Sequence, residues 1–184
     1  MPAYVETFNK VMSLGVIGLQ VIILLIALNF VFFRSRENKV LLFFKKNTFI
    51  FGFLIALGAV IISLFYSEII GFPACELCWV QRIFLYPQLI LFGMELYKKE
   101  RAIVDYSMVL AICGAIVSVY HMYIETGGES SLPCAAPGVT TQVSCAIRYV
   151  YEFGYITIPV MSFTLSLFII AILLNYKYMS RMSA

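Results

Sequence analysis

Charge is what this chain lacks. Asp, Glu, Lys and Arg together make up 12% of its 184 residues, while hydrophobic residues make up 62%. Ordinary soluble domains carry about 25% charged residues, because a water-facing shell has to be solvated. A chain this poor in charge cannot cover such a shell, which excludes a soluble enzyme, a disordered tail and a nucleic-acid module. Internal repeats, low-complexity tracts and a soluble domain are also missing. Histidine occurs once, at position 121, and tryptophan once, at position 79.

What is present is long uncharged runs. Residues 11–33, 47–67 and 153–176 hold no charged side chain, and at about 1.5 Å per residue each reaches 30 Å or more, enough for a bilayer core. Two further runs are interrupted only by Arg82 (77–94) and His121 (106–124). These runs predict an all-α integral membrane protein with five transmembrane helices over roughly 11–33, 48–67, 76–97, 103–124 and 155–176. The first apolar run is too long for a secretory signal and has no small-residue cleavage site after it.

Ten of the 13 basic residues fall on one side of these spans: Arg34, Arg36, Lys39, Lys45 and Lys46, then Lys98, Lys99 and Arg101, then Lys177 and Arg181. The positive-inside rule assigns that side to the cytoplasm. The N-terminus is then external and the tail 177–184 cytoplasmic. Cys75, Cys78, Cys134 and Cys145 fall on the external side, where disulfides persist. Cys113 is expected mid-helix as a small packing residue.

The run Pro73-Ala74-Cys75-Glu76-Leu77-Cys78-Trp79-Val80-Gln81-Arg82 concentrates the chemistry. Pro73 suits a first helical turn, which would put both cysteines at the positive end of a helix dipole, where a thiolate is stabilised. Positions 75, 78 and 82 share a helical face, with Arg82 about 10 Å down the axis from Cys75. The pair could be half of a metal site or a static disulfide, but a redox dithiol fits better, because small C-x-x-C rings are reducible. Arg82 could snorkel to the outer headgroups or hold a ligand. In the external loop 125–154, Gly, Ser and Pro surround Cys134 and Cys145. That pair is open both to a structural staple and to exchange with the first. His121 is expected at the same depth as Arg82, as an interfacial residue or beside a polar-headed ligand.

In combination, Cys75-Glu-Leu-Cys78-Trp-Val-Gln-Arg82, the Tyr120-His121 pair and the later cysteine pair resemble the DsbB family of disulfide bond formation proteins, in its BdbC-like branch. The resemblance implies a four-helix redox core over 48–176, preceded by an extra N-terminal helix and basic linker (1–47). It implies a thiol relay to a membrane quinone, ubiquinone or menaquinone, in a bacterial cytoplasmic membrane. Cys134 would meet a DsbA-like thioredoxin-fold oxidase, with Cys145 resolving. Cys75 would relay electrons from that pair to Cys78 beside the quinone, and Arg82 and His121 would lie at the quinone head. No metal and no nucleic acid are implied. A vitamin K epoxide reductase-like enzyme is the rival within redox chemistry, although its loop cysteines precede the C-x-x-C. A soft-metal carrier using the four external thiolates is the rival of another class.

The basic asymmetry generates a topology test. Reporter fusions at the N-terminus and in the 125–154 loop should read external, and those near Lys45, Lys99 and Ala184 cytoplasmic. A cytoplasmic loop would put the cysteines in a reducing compartment and exclude the oxidase reading.

Overall fold

A segment that is apolar on every face has to satisfy its backbone internally once it leaves water, and a helix does so within one segment. Five helices form here: α1 (Ala3–Phe32), α2 (Lys39–Leu64), α3 (Glu76–Lys98), α4 (Ala102–Glu125) and α5 (Ile158–Ser183), with a π-helical turn (Phe65–Ile69) prolonging α2. Each is long and apolar enough to cross a membrane. Large apolar side chains such as Leu24, Ile61, Ile83, Ile90 and Ile116 face outward, as lipid-facing positions do. The computed structural model describes residues 3–32, 38–98, 102–128 and 144–183. Arg34, Arg36, Lys99, Arg101 and Cys134 lie outside the described residues.

The helices outrun the uncharged spans, because a charge near the end of a span does not stop a helix. α1 starts at Ala3 rather than 11 and takes in Glu6 and Lys10, and α5 runs past Lys177 and Arg181 to Ser183. α2 starts at Lys39 rather than 48, so Lys39, Lys45 and Lys46 lie in a helix rather than a linker. Its start is capped by Asn38, whose Oδ1 accepts from the backbone N–H of Val40 (3.0 Å) and Leu41 (3.3 Å). α5 begins three residues later than the sequence suggests. Phe153 (φ 52°) and Gly154 (φ 80°) turn the chain left-handed, and Glu152 and Ile156 bridge across that turn through bonds of 3.0 and 2.9 Å. The helix starts only after Thr157, whose carbonyl accepts from Met161 N–H at 3.0 Å.

Helices α2, α3, α4 and α5 pack as a ring of four, and α1 lies outside it, chiefly against α5. The centre is filled by Ala56, Phe92, Ile172 and Leu173, each fully buried or nearly so. One end of the bundle collects the start of α2 and the ends of α3 and α5, with their lysines. There Lys45 Nζ donates to the Met179 carbonyl at 3.1 Å, and Lys177 pairs with Asp105 at 2.5 Å. The other end collects the start of α3 and the end of α4, which carry Cys78 and His121.

At Gly52 a side chain of α3 packs directly against the backbone of α2. A Cβ there would lie 2.5 Å from Cε1 of the fully buried Phe92. Gly52→Ala should therefore cost about 1–3 kcal/mol through overpacking, read as a lower melting temperature in detergent, and Phe92→Leu in the same chain should recover part of it. An unchanged melting temperature in Gly52→Ala would contradict this packing.

Candidate active site

The site is built where the chain leaves α2 and enters α3. Gly71 (φ 80°) makes the turn, and Phe72 N–H donates to the Tyr66 carbonyl at 2.9 Å. The Phe72 ring stacks between Tyr66 (centroids 5.9 Å apart) and Tyr149 (4.9 Å). This pins residues 71–75 in an irregular path. Pro73 thus lies before the helix, which begins at Glu76, rather than in its first turn, because the stack holds this segment outside the helical path. The Cys75 carbonyl accepts the first helical bond, from Trp79 N–H at 3.2 Å, so Cys75 caps α3 and Cys78 sits in its first turn. Their sulfurs are 3.2 Å apart, with Cys75 donating.

Two groups close over this pair from behind. His121, at the end of α4 and 3% exposed, brings Nε2 to 3.8 Å from the Cys75 sulfur and 3.2 Å from the Cys145 carbonyl oxygen. Cys145 itself is 1% exposed and packs with Cys75, Leu77 and Ile124 in one apolar cluster. The structure thus brings Cys75, Cys78, Cys145 and His121 together. Cys134, expected as the outer member of the second pair, lies outside the described residues. The hydrogen bond to Cys78 and then burial push the Cys75 thiol well above the ordinary thiol range, against a smaller pull downward from His121. Burial also raises Tyr149, and the two nearby cysteines add to it.

Cys78 opens on its other side into a cavity of about 310 Å³. Polar groups gather at its cysteine end, among them Ser63, Tyr66, Gln81 and Arg82, and aliphatic side chains line the remainder. Arg82 is 8% exposed and does not reach for water. Its Nε donates to Ser63 Oγ at 2.9 Å and its Nη2 to the Ser63 carbonyl at 3.1 Å, while the guanidinium carbon stands 4.8 Å from the Trp79 ring centroid. His121 is not among the lining residues; it faces the cysteines instead. Ser63 was not legible as a site residue, since a serine in an apolar span ordinarily bonds only its own helix.

The arrangement can exchange disulfides on one side of the Cys75–Cys78 pair and present a fixed cation to a small amphiphile on the other. The cavity's polar end fits the oxygens of a quinone ring and its aliphatic part a hydrocarbon tail. The donor atoms of Cys75, Cys78 and His121 also lie within 4.8 Å of one another, close enough to converge on a soft metal ion when both thiols are reduced. Cys113 sits within α4 away from this group.

Comparison with known proteins agrees with the resemblance read from the motif. The family described as "Disulfide bond formation protein DsbB" matches residues 45–176. A "Probable disulfide formation protein C 2" of Bacillus anthracis is 36% identical over 129 residues, covering 70% of this chain and 89% of that protein. "Disulfide bond formation protein C" of Bacillus subtilis is 36% identical, covering 64% and 85%. The "SPbeta prophage-derived disulfide bond formation protein B" of the same species is 39% identical, covering 65% and 78%. No solved structure matches.

The Cys75 environment has a measurable consequence. A raised pKa keeps the proton on to higher pH, so iodoacetamide should label Cys75 of the reduced protein at higher pH than it labels a cysteine in a short peptide. Cys78→Ala removes the largest cause and should move that profile back toward lower pH, as read by mass spectrometry of the labelled peptides. Identical profiles in the two proteins would contradict the Cys75–Cys78 hydrogen bond.

Proposed function

The chain belongs to the DsbB family of disulfide bond formation proteins, and on that footing we propose that it is a membrane protein-dithiol:quinone oxidoreductase. In this reading it reoxidises a thioredoxin-fold thiol oxidase outside a bacterial cytoplasmic membrane. One observation carries the reading: Cys78 accepts a hydrogen bond from the Cys75 thiol on one side and lines the Arg82-headed cavity on the other. The basic end of the bundle then faces the cytoplasm and the cysteine end faces out, in keeping with the positive-inside rule.

In this mechanism the partner's dithiol attacks a Cys134–Cys145 disulfide at Cys134. The second partner thiol closes the partner's own disulfide and releases both loop cysteines reduced. The Cys145 thiolate then attacks the Cys75 sulfur, Cys78 leaves as a thiolate, and Cys134 resolves the Cys75–Cys145 bond to restore the loop disulfide. His121, in reach of Cys75 and of the Cys145 backbone, orients the two sulfurs and can hold the proton released between them. The chemistry a bound quinone supplies is the two-electron oxidation that returns Cys75–Cys78 to a disulfide. Arg82, fixed by Ser63, stabilises negative charge at the cavity's polar end, where exclusion of water makes such an interaction strong.

The test is purified protein with reduced thioredoxin-fold oxidase and quinone, following quinone absorbance. Mixed with the oxidised form of the partner, whose disulfide the Cys134 thiolate attacks, Cys145→Ser should accumulate a Cys134–partner mixed disulfide on a non-reducing gel, because the sulfur that would release Cys134 is gone. Cys134→Ser should give none; equal trapping would reverse or dissolve these roles. Arg82→Ala should raise KM for quinone roughly ten- to a hundredfold, the cost of a charged hydrogen bond of about 1.5–3 kcal/mol. Arg82→Lys should fall between, because an ammonium cannot reproduce the fork that meets both Ser63 oxygens. Wild-type quinone kinetics in Arg82→Ala would remove Arg82 from the site. Stoichiometric soft-metal binding with no quinone turnover would favour the Cys75–Cys78–His121 cluster as a metal carrier instead.

A further inference from the structure

The cavity has one wall built outside the family match, which begins at residue 45. Val11, Met12, Gly15, Val16 and Leu19 of α1 all line it, and their spacing keeps them on one helical stripe. α1 is tied to α2 near both of its ends. At the cysteine end Tyr66 Oη donates to Asn9 Oδ1 at 2.9 Å, and the Phe8 ring lies 4.5 Å from that of Phe65. At the basic end Asn38 Nδ2 donates to Asn29 Oδ1 at 3.1 Å. Between these ties the helices stand apart. Gly15 and Gly58 line the cavity from opposite sides, and a Cβ on either would meet nothing within 4 Å. Val11 and Leu54 also line it yet are 53% and 55% exposed, so the cavity opens sideways between α1 and α2, into the hydrocarbon layer.

We propose that α1 and α2 form the groove for the apolar tail of the quinone whose ring lies at the Arg82 end, with Gly15 and Gly58 as the specificity-determining positions that keep it wide. This rests on the quinone reading above and deepens it. At about 310 Å³ the cavity is near the lower limit of ligand pockets, which span roughly 300–1,000 Å³. It holds a ring and the first part of a tail, and the rest of a long isoprenoid chain leaves through the lateral mouth. The ties at both ends of α1 keep the slit from closing as an ordinary helix–helix contact would.

The chain's single tryptophan gives a direct binding readout, because Trp79 is stacked by Arg82 at the cavity's polar end and a bound quinone quenches it. The full-length protein is titrated, at constant detergent, with a dimethoxy-methyl-benzoquinone lacking a tail and with the same ring carrying a decyl tail. Gly15→Leu and Gly58→Leu should each weaken binding of the tailed quinone on the order of tenfold, about 1.4 kcal/mol, and leave the tailless one within about twofold. Gly18→Leu, whose Cβ also meets open space but which lies off the cavity, should change neither. Unchanged affinity for the tailed quinone in both cavity variants, an equal loss for both quinones, or an equal loss in Gly18→Leu would each overturn the groove. A wild type that quenches normally yet never reduces quinone would overturn the proposed reaction while leaving the groove standing, and a wild type that binds neither quinone would overturn both.

Discussion

A permanent cation cannot sit in hydrocarbon without something to solvate it, and much of the functional end of this bundle follows from how Arg82 is solvated. Two donors of its guanidinium are taken by the hydroxyl and carbonyl of Ser63, and its face lies on Trp79. These contacts lock the end of α2 to the first turns of α3. They also leave the guanidinium on the wall of a cavity that is otherwise largely aliphatic. Snorkelling would have spread the charge into headgroup water and left the bundle interior neutral. Internal solvation keeps an electrostatic resource in a place where the dielectric does not dissipate it.

The Cys75–Cys78 pair stands at the border of two environments. Behind it are the buried Cys145 and His121, in front the cavity. Cys75 is held protonated by its bond to Cys78 and by burial, so the two thiols of one motif are chemically unequal although only three positions separate them. That inequality arises from where the helix begins. A cysteine at the cap and a cysteine in the first turn see different sides of the same end.

The helical membrane architecture was legible because lipid imposes it on any long uncharged run, and the C-x-L-C-W-x-Q-R run was legible because its spacing sets Cys78 and Arg82 on one face of α3, where both line the cavity. The expected third member of that face, Cys75, precedes the helix and packs toward Cys145 instead. Helix ends were not legible, since charge marks where a span leaves hydrocarbon and not where the backbone stops being helical: Glu6, Lys45 and Lys177 all sit inside helices. Ser63 and the α1 stripe stayed hidden for a related reason. A serine or a glycine in an apolar span carries no periodic signal, and its part is set by which neighbour the fold brings alongside. His121 was legible in depth but not in facing. None of the cavity's lining residues comes from α4, and depth along a span does not reveal which helices border a cavity.

The π-helical turn at Phe65–Ile69 carries a consequence for chain length. Such a turn holds one residue more than an α-helix needs, so it works as a phase shifter: each residue of an α-helix advances the chain by about 100°. Losing one residue there would barely shorten the connection to α3, yet it would swing Tyr66 away from Asn9 and unseat the Phe72 stack on Tyr66 and Tyr149. Length in this segment is therefore an angular variable, and a deletion within it behaves as a twist rather than a trim.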